Sequence, residues 1–179
     1  MIAAMPLFAE PREVRALGDL YANVWQLCYV TRDLDEGMAL LRKHYGIEST
    51  EVPTAGATFL VGDEPADWEV RVSMGARGGL IVELIEPIGG EVDFYRRFLP
   101  EDGGLGFHHI ATYMALGDEA WDALGDVLAA SGLRVDYTVL IPDRVRAGYV
   151  DTTAELGHYL EICQLQKADI EFFTGLVEA

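Results

Sequence analysis

Two stretches of this chain repeat one another at a fixed distance, and the repeat limits the folds open to it. "QLCYVTRDLDEGMALLRKHYG", from Gln26, and "HIATYMALGDEAWDALGDVLAASG", from His109, each read as a short apolar and aromatic strand followed by an amphipathic helix. In the first helix Met38, Leu41 and Tyr45 recur at i, i+3 and i+7; in the second Trp121, Leu124 and Leu128 do. Each member of the second set lies 83 positions after its counterpart, and His109 lies 83 after Gln26. Both helices are predicted to stop at a glycine, Gly46 and Gly132. Further strand-like runs follow: "STEVP", "ATFLV", "WEVRVSM" and "LIVELIEP" in the first half, "LRVDYTVLIP", "RVRAGYVD" and "HYLEICQ" in the second. Two copies of strand, helix and about three strands make a tandem supersecondary unit, not a solenoid.

The halves are expected over 21–88 and 105–165, an α+β organisation, with residues 89–104 as linker. The centre of that linker, Glu91 to Phe98, reads as a short helix closed by the loop Asp102-Gly103-Gly104. Residues 1–20 read as an N-terminal arm with a helix around Arg12 to Leu17, and 166–179 as a C-terminal helical tail.

Side chains alternate across a strand, so alternate residues share a face. This groups Val24, Gln26, Cys28 and Val30; Ile81, Glu83 and Ile85; Phe107, His109, Ala111 and Tyr113; and Tyr159, Glu161 and Cys163. Each face is apolar or aromatic with a single polar exception besides cysteine and tyrosine. An isolated carboxylate on a buried face costs several kcal/mol unless it is paired or binds a metal. Two carboxylates beside a glutamine and a histidine make a nitrogen and oxygen ligand set for a divalent ion. Taken singly, each residue is equally at home facing solvent or bonded to a neighbour; the shared register in a repeat is what favours a common site. The same alternation sends His108 to the face opposite His109, where it would pack or hydrogen-bond under a helix. His158 alternates away from Glu161, and His44 ends a helix, where a cation suits the dipole.

Thirty acidic against thirteen basic residues give a formal charge of −17, a field that repels nucleic acid and anionic membrane surfaces. The two cysteines, Cys28 and Cys163, have no zinc-thiolate or disulfide spacing, which fits a reducing cytoplasm. The start "MIAAMPLFAEPREV" lacks the basic region of a signal peptide, and no apolar run reaches membrane-spanning length. The expectation is a cytoplasmic protein with a small-molecule substrate and no nucleic-acid or membrane partner.

"QLCYVTRDLDEGMALLRKHYG", "LIVELIEP", "GLGFHHIATYM" and "DTTAELGHYLEIC" together resemble the vicinal oxygen chelate superfamily. That group includes glyoxalase I, methylmalonyl-CoA epimerase, extradiol dioxygenases and bleomycin-resistance proteins, and the resemblance runs from Asn23 to Gln164. It implies tandem βαβββ modules forming a cupped, mostly antiparallel mixed sheet around one metal ion. Carried over residue by residue, the ligands would be Gln26, Glu83, His109 and Glu161. "ELIEPIGGEVDFYRRFLPEDGGLGFHHIA" is most similar to methylmalonyl-CoA epimerase. Two positions depart from that enzyme: Gln26 stands where histidine is usual, and Glu83 where glutamine is commoner. The resulting set matches one branch of glyoxalase I instead.

The resemblance implies one divalent ion per chain (zinc, nickel, cobalt or manganese) and removal of a proton next to a carbonyl through a metal-stabilised enolate. The enzyme would be an isomerase or epimerase, or a glyoxalase-type lyase, acting on a small carbonyl or acyl compound. Glu161 would be the base and Glu83 its partner. Phe107, Tyr113 and Tyr159 would line the substrate pocket, unless they serve only as core. Two alternatives stand beside this: a resistance-type ligand-binding protein, whose relatives typically lack the four ligands, and a ring-cleaving dioxygenase. The latter needs two histidines and one carboxylate, and position 26 holds no histidine. A homodimer is expected, closed two-fold pairing being the commonest oligomer.

Overall fold

The computed structural model describes Phe8, Glu10 and residues 13–178, and in it helices alternate with ten strands. After α1 (Leu17–Leu20) the first half holds β1 (Val24–Val30), α2 (Leu34–Tyr45), β2 (Ser49–Val52), β3 (Thr58–Val61), β4 (Glu64–Ala66), β5 (Trp68–Arg77) and β6 (Leu80–Gly90). Helix α3 (Asp93–Arg96) occupies the linker. The second half holds β7 (Gly106–Met114), α4 (Asp118–Ala130), β8 (Tyr137–Ile141), β9 (Val145–Asp151), α5 (Thr153–Leu156) and β10 (Tyr159–Leu165), followed by α6 (Lys167–Glu178). The helix expected around Arg12 to Leu17 starts instead at Leu17; Arg12 itself lies outside the described residues. Asp19 sets that start, because its carboxylate accepts from the backbone N–H groups of Arg15 and Ala16 at 2.8 and 3.0 Å. No helix among the described residues is long and apolar enough to cross a membrane.

Local signals fix the ends of the two long repeat helices. Asp33 caps α2 by accepting from the Glu36 N–H at 2.9 Å, and Gly46 ends it in the left-handed region at φ 64°. Leu34, Gly37 and Leu41 form the buried stripe of α2, whereas Tyr45 is 64% exposed. The stripe thus begins a turn earlier than the Met38, Leu41, Tyr45 spacing predicts, because Gly37 lets the helix close onto Leu84 and Thr31. In α4 the predicted positions do face inward: Leu124 and Leu128 are buried, and Trp121 packs over Gly148.

All ten strands join one curled sheet in the order β2-β5-β6-β1-β7-β10-β9-β8-β3-β4. Only β1–β6 and β7–β10 pair in parallel; every other neighbour is antiparallel. The two quartets β2-β5-β6-β1 and β7-β10-β9-β8 are copies of one arrangement, joined within the chain by the antiparallel β1–β7 pair. Helices α2 and α4 each cover one quartet on the outer face, α2 over Val82 and Leu84, and α4 over Val150, Leu160 and Ile162. The inner face forms the larger apolar cluster around Trp25, Ile85, Tyr113, Tyr149 and Tyr159.

The repeat breaks at "ATFLV". This run becomes β3, which leaves the first quartet and pairs with β8 at the far edge of the second. The curl of the sheet brings the two edges close enough for residues 53–57 to cross between them. Phe59 anchors the crossing, its buried ring stacked with those of Phe94, Trp68 and Tyr137 at 5.7, 5.7 and 6.0 Å. The end strand next to β3, β4, carries Pro65, a residue that blunts an open edge.

Gly106 opens β7 against the backbone of the linker, where an added Cβ would stand 1.8 Å from the Phe98 carbonyl oxygen. Gly106→Ala is therefore expected to lose roughly 3 kcal/mol or more of stability, the upper end of point-mutant effects. Denaturant unfolding checks this; a loss below about 1 kcal/mol would show that strand and linker separate freely.

Candidate metal centre and its cavity

The four central strands β6, β1, β7 and β10 each send one polar side chain into the cup, and the four meet. The Gln26 Nε2 group donates to Glu83 Oε2 at 2.9 Å and lies 3.4 Å from His109 Nε2. His109 Nε2 lies 3.4 Å from Glu83 Oε2 and 3.2 Å from Glu161 Oε2. All four side chains are buried. Their donor atoms are a carboxylate oxygen from each half, one imidazole nitrogen and one amide that offers oxygen when turned about its last bond.

Two bulges aim these residues. On β1, Val24 pairs with Thr112 and Gln26 with Ala111, so Trp25 is the extra residue and turns its ring into the cavity beside Gln26. On β7, Cys28 pairs with His109 and Tyr29 with Phe107, so His108 is the residue skipped. This corrects the expectation from simple alternation: His108 does not face away from His109. Both rings lie on the inner side, with Nδ1 to Nδ1 at 2.8 Å, and His108 Nε2 lies 3.1 Å from the Phe94 carbonyl oxygen at α3.

That contact sets the protonation of both rings. The Phe94 carbonyl only accepts, so His108 Nε2–H donates to it. Burial and the neighbouring His109 charge press the His108 pKa well below its usual value, so His108 is neutral and its Nδ1 is an acceptor. His109 Nδ1–H donates to that acceptor, leaving His109 Nε2 to face the two carboxylates. Burial alone would lower the His109 pKa, but Glu161 and Glu83 outweigh it and raise it to about 9. Burial raises the Glu83 pKa, with the Glu161 charge adding to it against the His109 bond. Glu161 is also disfavoured by burial, yet His109, the Tyr149 hydroxyl and the Cys163 thiol together hold its pKa below the ordinary value. Tyr149 in turn accepts from the Tyr95 hydroxyl at 3.4 Å. Cys28 gives Glu83 a thiol partner, and burial keeps both cysteines protonated by raising their pKa.

The residues fit a divalent cation. Two buried carboxylates sharing one imidazolium leave a net negative charge in a low-dielectric site, which is costly unless more positive charge is supplied. A dication in place of the His109 proton balances both carboxylates, and the His108 bond already holds His109 in the tautomer that presents Nε2.

A cavity of about 510 Å³ opens beside Gln26, Glu83 and Glu161. Its walls are not those expected. Phe107 sits on the other side of the sheet against Tyr29 and His158, at 5.5 and 5.6 Å, because the skipped His108 reverses its direction. Tyr113 is buried against Phe8, and Tyr159 is packed among Phe94, Phe98 and His108; neither lines the cavity. The walls come instead from Trp25, Met74 and Tyr149, from Val52 at the end of β2 and Pro53 of the crossing segment, and from Phe173 of α6. Cross-strand register is what reveals Tyr149, the partner of Glu161 on β9; its spacing in the sequence carries no such signal.

No curated protein matches the chain. Among solved structures, methylmalonyl-CoA epimerase from Mycobacterium tuberculosis shares 18% identity over 83% of this chain and 91% of its own, with a TM-score of 0.57. A hypothetical protein from Bacillus halodurans C-125 shares 14% identity over 80% of this chain and 94% of its own, with a TM-score of 0.54. These likenesses establish the fold. The sequence profile of the glyoxalase/bleomycin resistance protein/dioxygenase superfamily matches residues 25–139, and with that match the chain belongs to this superfamily.

Proposed function

We propose that the protein is a divalent-metal-dependent enzyme that moves a proton at the carbon next to a carbonyl, as an isomerase, epimerase or glyoxalase-type lyase. The observation that carries this is the meeting of two buried carboxylates, one from each half, on a single imidazole nitrogen. Gln26, Glu83, His109 and Glu161 would hold the ion. When bound, a divalent cation polarises the carbonyl and stabilises the negative charge that develops on its oxygen.

Glu161 is the base in this reading. Against burial, which would raise it, its pKa is held below the ordinary value chiefly by His109, with hydrogen bonds from Tyr149 and Cys163 adding to the effect, so it is ionised and ready to accept a proton at neutral pH. Tyr149 bonds the carboxylate directly, and the Tyr95 hydroxyl, donating to Tyr149, steadies that bond. Glu83 reaches the same point from the other half of the sheet, the placement needed to return a proton to the opposite face of a carbon. The apolar walls around them exclude water from the carbanion-like carbon.

The test is metal analysis of the purified protein combined with a deuterium-exchange screen of carbonyl compounds in deuterated water. About one equivalent of divalent metal and chelator-sensitive exchange at the carbon beside the carbonyl are expected. Protein that binds no divalent ion, or exchange indifferent to chelator, would remove the proposal.

A further inference from the structure

We infer that the substrate is an uncharged carbonyl compound with an apolar or aromatic body. The position of its reacting carbon rests on the proton-transfer reading above; the character of its body rests on the cavity alone. About 510 Å³ lies within the range of pockets that enclose most of a small ligand. Beyond the polar residues at its metal end, the walls are dominated by rings and apolar chains such as Trp25, Trp68, Met74, Val139 and Phe172. Tyr95 and Tyr149 have their hydroxyls committed to each other and to Glu161.

Charge narrows the class further. Among the described residues that line the cavity, Arg144 is the one cation, against the carboxylates of Glu51, Glu83, Glu161 and Asp169. Arg144 is already bound through Nε to Asp169 Oδ1 at 2.9 Å, and Glu51 is held by Arg71. No free cation waits for a carboxylate or phosphate. A divalent ion at the other end offsets Glu83 and Glu161 and leaves no surplus. An anionic group would therefore lose its hydration and meet repulsion in return. A coenzyme A thioester, with its several phosphates, finds no receiving group among these walls.

Benzoin is a suitable probe: it is uncharged, has a carbonyl beside a hydroxyl-bearing carbon, and carries two phenyl rings. Glu161 would take the proton from the carbinol carbon, and the electron pair of that C–H bond would pass to the carbonyl oxygen. Return of a proton to either face racemises the compound, with no oxidant or reductant needed. Trp25 and Trp68 in the walls report binding by fluorescence quenching in the full chain with zinc added; Trp121, stacked under Arg146 at 4.0 Å, gives a constant background. Benzoin is expected to bind at least about tenfold more tightly than 4-carboxybenzoin or propionyl coenzyme A, a charge penalty of one pKa-scale step or more. Equal or tighter binding of either charged compound, or no binding of benzoin, would overturn the inference. Racemisation is followed separately by chiral chromatography. Benzoin that binds selectively with zinc in place but never racemises supports the cavity inference and counts against proton transfer.

Discussion

Glu161→Gln is expected to lower turnover of the metal-loaded protein by about 10²–10⁴-fold, the usual contribution of a general base. The amide still offers oxygen to a cation but cannot accept the proton. Metal content should therefore fall only in part, while exchange at the carbon beside the carbonyl nearly stops. Tyr149 and Cys163 can still bond the amide oxygen as they bond the carboxylate, and an unchanged circular dichroism spectrum would exclude misfolding as the cause. Glu83→Gln separates the two carboxylates. If Glu83 is mainly a ligand the loss is smaller; if it returns the proton to the opposite face, the two losses are comparable and stereoinversion disappears. Rates come from deuterium incorporation, corrected for bound metal by elemental analysis. Wild-type turnover by metal-loaded Glu161→Gln would refute the base assignment.

His109→Ala should abolish metal binding, and His108→Ala should weaken it by about 10–100-fold, the range for groups that orient a metal-binding histidine. The second effect is opposite to what strand alternation suggests, since an outward-facing His108 would leave the metal untouched. His108 touches the linker at Phe94 and the Nδ1 of His109, where it accepts the proton and so leaves Nε2 to face the carboxylates and a cation. His108→Gln supplies an acceptor and a donor on a similar reach and should recover most of the affinity. Nitrogen-15 spectra of His109 in the metal-free protein, taken above its pKa of about 9 where the ring is neutral, provide a readout that a packing defect alone does not move: the wild type should hold the Nδ1–H tautomer and the alanine variant should lose it. An unchanged metal dissociation constant in folded His108→Ala protein would exclude the orienting role.

What the sequence disclosed and what it hid divide along the repeat. The 83-residue offset places Gln26 and His109 at matching points of β1 and β7, and Glu83 and Glu161 close their respective halves, so their convergence was legible. Departures from the repeat were not. In "GFHHIA" nothing local says which residue a bulge will skip; only the pairing of Cys28 with His109 and Tyr29 with Phe107 does. One skipped residue changes which face each neighbour occupies, and it moved both His108 and Phe107. The cavity walls were hidden for a related reason. They are assembled from β5, β9, the crossing segment and α6, pieces whose neighbours are set by the curl of the whole sheet.

Two copies of this chain cannot trade halves by opening the β1–β7 seam alone. Domain swapping is ordinarily an easy route to a dimer for two similar units on a short connector. Here β3, from the first half, is hydrogen-bonded to β8 in the second, and the ring of Phe59 is locked among residues of both halves and the linker. Exchange would require that pairing to be stripped as well, and contacts so distant in sequence close large loops and form slowly. The crossing hairpin works as a latch: whatever assembly the protein forms, each copy enters it with its own two halves fastened together.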